Sequence, residues 1–158
     1  MSPSKPSVTR DEVAGLDIAT HTGFFCLKER GTWDFTESKQ RNNNKQHGAF
    51  RRTLIDFIQR NNIRQIVAED VSVNNHFVDT RKLSEFRGIL FEVCDTLDLP
   101  APVFINPMTL KKFATGDGHA KKDKMIEYCK LRWQLDSGDD NEADAIHLFF
   151  CYVKRFNL

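Results

Sequence analysis

The chain has 158 residues, 40% of them hydrophobic and 13 of them Phe, enough for one domain of ordinary size with a real core. A formal net charge of +1 argues against an obligately basic nucleic-acid coat protein, although central acids ringed by bases would cancel to the same sum. No apolar stretch is long enough to span a membrane, and Met1 to Glu12 lacks the apolar middle of a secretory signal.

Residues 1–12, polar and Pro/Ser-rich, read as a flexible tail ahead of a single domain over 13–158. Val13 to Ala19 is an apolar run broken by one acid, Asp17, and predicts a buried strand. Thr20 to Gly23 is turn-like, Phe24 to Lys28 a second strand, Arg30-Gly31 another turn and Thr32 to Thr36 a third strand, together an antiparallel meander. The polar stretch from Ser38 to Gly48 predicts a surface loop. Phe50, Leu54, Phe57 and Ile58 recur at helical spacing, predicting an amphipathic helix over 47–61. Gln65 to Glu69 is a short strand ending on an acid. Leu83, Phe86, Leu90, Cys94 and Leu97 mark a long helix over about 80–97, and Val103 to Ile105 is a brief strand closed by Asn106-Pro107. Helical pieces follow near 109–113, 121–132 and 140–156. Loops around 70–79 and 114–120 are long enough to carry functional surface. A meander followed by strand–helix alternation predicts an α/β fold: a mixed sheet with helices on both faces.

Cys26, Cys94, Cys129 and Cys151 form no CxxC pair and lie among apolar neighbours. Buried reduced thiols are expected, not a zinc site, as suits a reducing, cytoplasmic compartment.

Three acids stand out. Asp17 sits inside an apolar strand, where an unpaired carboxylate is costly; a core Asp satisfied by backbone N–H groups is the alternative. Glu69 ends a strand, where sheets commonly place ligands, though a solvated strand end would look the same. Asp70 follows it and points to the opposite side. Asp139, Asp140 and Glu142 are first-turn acids favoured by a helix dipole. Asp144 lies one turn further in, between Ala143 and Ala145, with Asp140, Asn141 and His147 on its face. Carboxylates brought together repel unless cations neutralise them, and hard oxygen ligands select Mg²⁺ or Mn²⁺. Two such ions suit in-line phosphodiester displacement.

The surrounding residues resemble the RuvC family of Holliday-junction resolvases, of the RNase H-like superfamily, especially its compact phage-type members. The resemblance rests on Gly15-Leu16-Asp17 with Gly23 behind it, and on Glu69 followed by Leu83 and Arg87-Gly88. It continues through Asn106-Pro107, Lys111, the Gly116-Asp117-Gly118-His119-Ala120-Lys121-Lys122 segment with Met125, and Asn141-Glu142-Ala143-Asp144-Ala145. It runs from about Val13 to Phe150.

That resemblance implies a five-stranded mixed sheet and a homodimeric endonuclease that nicks four-way DNA junctions symmetrically, using two Mg²⁺ (or Mn²⁺) ions per site and no small-molecule cofactor. It implies the cytoplasm of a bacterium or phage-infected cell. Asp17, Glu69 and Asp144 would be catalytic metal ligands. The family's fourth ligand, an Asp or His, lies three residues before the final Asp; here Asn141 holds that position with Asp140 beside it. Asp140 is taken as the fourth ligand and Asn141 as a weaker oxygen ligand. Lys111 and Lys122 would contact phosphates near the cut, with Lys122 part of the catalytic group and Lys112, Lys121 and Lys124 the surrounding basic field. In the family an aromatic after the second acid often wedges into the junction; here Ser72 holds that early position. Phe77, beside His76, either plays the wedge or staples the next helix to the core, and Arg81 marks DNA proximity. Two other functions stay open: a nuclease for flaps or forks, and a non-catalytic DNA-binding protein of the same fold.

Overall fold

The structure is a computed structural model that describes residues 6–36, 43–71 and 77–158. Among the described residues, five strands form one sheet: β1 (Val13–Asp17), β2 (His21–Phe25), β3 (Arg30–Asp34), β4 (Gln65–Glu69) and β5 (Val103–Ile105). Their order is β3-β2-β1-β4-β5. The first three pair antiparallel, while β4 runs parallel to both β1 and β5. The mixed sheet is the one expected.

The described helices that cover it are α1 (Asn43–Arg60), α2 (Phe77–Thr96), α3 (Pro107–Thr115), α4 (Lys122–Trp133) and α5 (Asp140–Phe156). Strand side chains alternate between faces. Ala14, Leu16, Ile66 and Ala68 pack with Phe50, Leu54 and Phe57 of α1 and Phe86, Leu90 and Val93 of α2. On the other face, Val13, Phe25, Val67 and Ile105 pack with Leu110 of α3, Met125 and Cys129 of α4, and Ile146, Phe149 and Val153 of α5. Two cores on the two faces of one sheet meet the layer rule.

Several boundaries move. β2 and β3 begin earlier than the predicted strands, and the turn between them falls at Cys26–Glu29, where the Cys26 N–H donates to the Glu29 carbonyl at 2.9 Å. Thr22 and Gly23 look like turn residues but lie buried within β2. The Thr22 hydroxyl donates back to the Ala19 carbonyl at 2.5 Å, closing the tight β1–β2 turn. α1 starts at Asn43, inside the stretch read as loop, because a polar solvated turn leaves no apolar periodicity. Of the predicted tail, Arg10–Glu12 form a 3₁₀ turn. Arg10 donates to the Leu158 carbonyl at 2.7 Å, and the Arg64 N–H to that of Glu12 at 2.8 Å, joining these residues to the body. All four cysteines are buried and free, as expected.

Candidate active site

The strand period of two carries two acids to one place. Asp17 continues the Val13, Gly15 row and Glu69 the Gln65, Val67 row, and the parallel register pairs Leu16 with Ala68. Asp17 and Glu69 are therefore neighbours just past that pair, both facing α5. Asp70 goes to the other face, where its Oδ1 stands 3.6 Å from Arg87 of α2.

α5 supplies the third acid because two glycines let it press on the sheet. A Cβ on Gly15 would overlap the carbonyl oxygen of Ala145, and one on Gly23 that of Asn141. Gly23 pairs directly with Asp17, so its bare backbone brings the first turns of α5 against the acid. The start of α5 is also tied to the hairpin. Asp139 caps it, accepting from the Glu142 N–H and the Thr32 hydroxyl, each at 2.8 Å. Arg30 donates to the Asp136 carbonyl at 2.8 Å and reaches the buried Glu142 carboxylate at 3.4 Å. Asp139 and Glu142 are thus structural acids.

The outcome is a carboxylate cluster. Asp17, Glu69 and Asp144 each present an oxygen within 4.8 Å of the others. Burial first, then repulsion from Asp144, Glu69 and Asp140, holds the Asp17 carboxyl well above its ordinary range. Burial, with Glu69 and Asp140 adding to it and Lys111 and Lys122 opposing, pushes Asp144 up to about 8. Burial raises Glu69 to about 7 against the pull of Lys111. Asp144 Oδ1 is buried without a hydrogen-bond partner. An orphaned carboxylate oxygen facing two more carboxylates fits a hard divalent cation, whose oxygen coordination would satisfy it.

Two clefts meet at this cluster and share Glu69, Lys111 and Asp144 in their walls. Asn141 faces the one that contains Asp17; Asp140 faces the other, with its Oδ2 3.5 Å from the Lys122 ammonium. Lys111 is half-buried between them, whereas Lys112, Lys121, Lys122 and Lys124 are exposed, Lys124 being paired to Glu127 at 3.0 Å. Gly116 takes φ +86° as the C-cap of α3, and Gly118 lies so close that a Cβ would stand 2.8 Å from Met108 Cγ. Both glycines thus have local reasons. Arg81 is exposed on α2. Phe77 opens that helix, but its side chain, with Ser72 and His76, lies outside the described residues.

His147 shares a helix face with Asp144 in sequence yet is turned into the core. Its Nδ1 accepts from Trp133 Nε1–H at 3.1 Å, so the neutral ring carries its proton on Nε2, which donates to the Met125 carbonyl at 2.8 Å. Burial pushes its pKa down to about 4. Arg87, which enters the resemblance only as part of Arg87-Gly88 and was given no role from the sequence, lines the Asp17 cleft; an arginine in mid-helix carries no signal distinguishing it from a solvated one.

This fold is RNase H-like, with three carboxylates at the meeting of its two central parallel strands and last helix. The chain superposes on the Thermus thermophilus RuvC structure with a TM-score of 0.74 at 18% identity, covering 92% of this chain and 96% of that one. It superposes on T. thermophilus RuvC in complex with Holliday junction substrate at a TM-score of 0.73 and 18% identity, covering 92% and 95%. On the yeast mitochondrial Holliday junction resolvase Ydc2 the TM-score is 0.65 at 10% identity, covering 96% and 81%. In sequence, the chain is 37% identical over 90 residues to the crossover junction endodeoxyribonuclease RuvC of Rickettsia akari, 55% of this chain and 57% of that protein. It is 34% identical over 96 residues to that of Rickettsia conorii, 57% and 59%. The chain thus spans somewhat over half the length of the curated relatives it matches. No protein-family model matches it. The resemblance to RuvC read from the sequence is borne out by both the curated relatives and the solved structures.

Proposed function

We propose that the chain is a divalent-metal-dependent endonuclease that resolves four-way DNA junctions. The observation that carries the reading is the convergence of Asp17, Glu69 and Asp144 from three elements, with Asp144 Oδ1 left unpartnered, on a fold shared with RuvC. When bound, two Mg²⁺ or Mn²⁺ ions would supply the Lewis acidity for attack of water on a phosphodiester. Asp17, Glu69 and Asp144 would hold that pair. Asp140 is the better fourth ligand, since it carries charge and stands close enough to raise the carboxyl pKa of both Asp17 and Asp144. Asn141, on the other cleft, offers a neutral oxygen.

The remaining residues bind and orient the strand. Lys111, between the clefts, faces the phosphate at the carboxylates, and Lys122, 84% exposed and 3.5 Å from the Asp140 carboxylate, turns to pair with an incoming phosphate. Lys112, Lys121 and Lys124 extend the basic field, and Arg81, exposed on α2, adds to it. A four-way junction is two-fold, so a C2 homodimer places one site on each opposed strand. The outward side of α2 offers Phe91, 43% exposed, for that interface. The buried free thiols suit the cytoplasm of a bacterium or a phage-infected cell. Among the described residues no helix is long and apolar enough to cross a membrane.

A substrate panel tests the reading. Four-way junctions, flaps, forks and plain duplex are incubated with the protein and Mg²⁺ or Mn²⁺. Paired nicks in the junction, at rates well above the others, are expected. Preference for flaps or forks would move the assignment to another branched-DNA nuclease, and binding of junctions without any nicking would make the protein a non-catalytic binder.

A further inference from the structure

The two clefts are neutralised unequally. The one beside α4 has Lys121, Lys122 and His119 in its wall. The other, about 360 Å³ in volume, has one cation besides Lys111 among its described lining residues: Arg87 of α2. A DNA strand that crosses the carboxylates enters both clefts and brings phosphates to each.

Arg87 is held as a phosphate ligand would need to be. Its Cζ stands 4.0 Å over the Phe104 ring and 5.6 Å from that of Phe91, fixing the plane of the guanidinium. Its Nη2 lies 3.6 Å from Asp70 Oδ1, too far for a hydrogen bond. Its Nε is buried with no hydrogen-bond partner, yet the side chain is 37% exposed at the cleft. Leaving a buried donor unpaired is unfavourable, so a fixed fork with an idle donor marks a site that awaits an acceptor. A guanidinium fork matches phosphate oxygens in pairs, which a lysine cannot do.

We propose that Arg87 binds a phosphate of the DNA strand on the flank opposite Lys122, next to the phosphate that is cut. The proposal rests on the nuclease reading for the identity of its ligand. Asp70 lies loosely against the fork in the free protein and shares it with phosphate when DNA is present. Leu83 and Pro107, beside Arg87 in the same cleft, are apolar and suit the sugar of that nucleotide.

The test reads binding, so that it does not depend on cleavage. Asp17→Asn protein, with and without Arg87→Met, is titrated with a four-way junction over a range of salt concentrations. The junction is either unmodified or carries a single neutral methylphosphonate at successive positions near its centre. Arg87→Met keeps the stem that packs on Phe104, and its thermal unfolding is recorded in parallel; Arg87→Lys restores the charge without the fork. We expect Arg87→Met to lower the slope of log affinity on log salt by about one and Arg87→Lys to keep it. One methylphosphonate position should weaken the protein with Arg87 and leave Arg87→Met indifferent. A folded Arg87→Met with unchanged slope and unchanged methylphosphonate profile would overturn the proposal, and so would absence of junction binding by the parent. Failure of wild-type protein to nick junctions is a separate result, which sinks the nuclease reading and leaves the binding comparison intact.

Discussion

Asp17, Glu69 and Asp144 are held where burial works against their charge, and that has a signed consequence for stability. Their folded carboxyl pKa values lie above the ordinary 3.8 to 4.5, with Glu69 at about 7 and Asp144 at about 8. Between those limits the folded protein binds more protons than the unfolded one, so these groups' stabilisation is present at low pH and is lost as pH rises towards 8. His147 runs the other way: its pKa is depressed to about 4, so its stabilisation is lost as pH falls from about 6.5. Above pH 6.5 only the carboxylates act. Metal-free protein should therefore lose thermal stability from pH 6.5 to 8, Mg²⁺ should flatten that slope, and Asp144→Asn should melt higher than wild type at pH 8 without responding to Mg²⁺. Each pKa unit is about 1.4 kcal/mol, so the Asp144 contribution is on the order of several kcal/mol. A wild-type slope that ignores Mg²⁺ would contradict the metal centre. For His147, imidazole NMR shifts should show no titration near pH 6.5 and a midpoint near 4; an ordinary midpoint would mean the ring is not held between Trp133 and Met125. At this scale Asp17 was legible in the sequence because a charge inside an apolar run is an anomaly, whereas Glu69 and Asp144 were joined to it only through the family resemblance. The role of Arg87 was not legible, although Arg87-Gly88 belongs to the resemblance, since an arginine on a helix reads as solvated until Phe104, on the next element of the chain, is seen beneath it.

The element that matters most is α5, which carries Asp144 and is set down on β1 and β2 through Gly15 and Gly23. Neither glycine has a φ that demands glycine; what each lacks is room for a Cβ. Gly23→Ala must push α5 off the strand opposite Asp17. It should destabilise the fold by about 3 kcal/mol, the upper range for overpacking, and abolish metal-linked stabilisation even where the protein stays folded. Chemical denaturation with and without Mg²⁺ checks both, and a Gly23→Ala protein as stable as wild type would show that the contact is not tight. β1, β4 and β5 were legible as apolar runs, and α4 and α5 fell within a residue of their predicted starts. β2 was displaced because Thr22 and Gly23 have the composition of a turn while serving a buried strand. The first turn of α1 was hidden because Asn43 to Gln46 carry no apolar residue; Gln46 instead donates to the Phe35 carbonyl at 2.9 Å.

Across the whole molecule, a protein of net charge +1 gathers three acids where two central strands end against α5 and lines the adjoining clefts with cations. That arrangement attracts a polyanion to a centre that would itself repel one. Lys111→Ala and Lys122→Ala should each lower the salt dependence of junction binding by about one unit of slope, with Lys111→Ala also slowing the nick, because only Lys111 stands in both clefts. Unchanged slopes would remove the lysines from the interface. The proposed dimer predicts that sedimentation finds two chains per particle and that Phe91→Glu gives monomers with weaker junction binding; a monomeric wild type would contradict it. Asp17, Glu69 and Asp144 are proposed to form one metal centre for cutting branched DNA. Its most direct test is the nicking of a synthetic four-way junction in Mg²⁺ by wild type and by Asp17→Asn. Wild type should make symmetrically paired nicks with 5′-phosphate and 3′-hydroxyl ends, and a folded, junction-binding Asp17→Asn should show only background cleavage. Equal nicking by both proteins, or none by wild type, would contradict it.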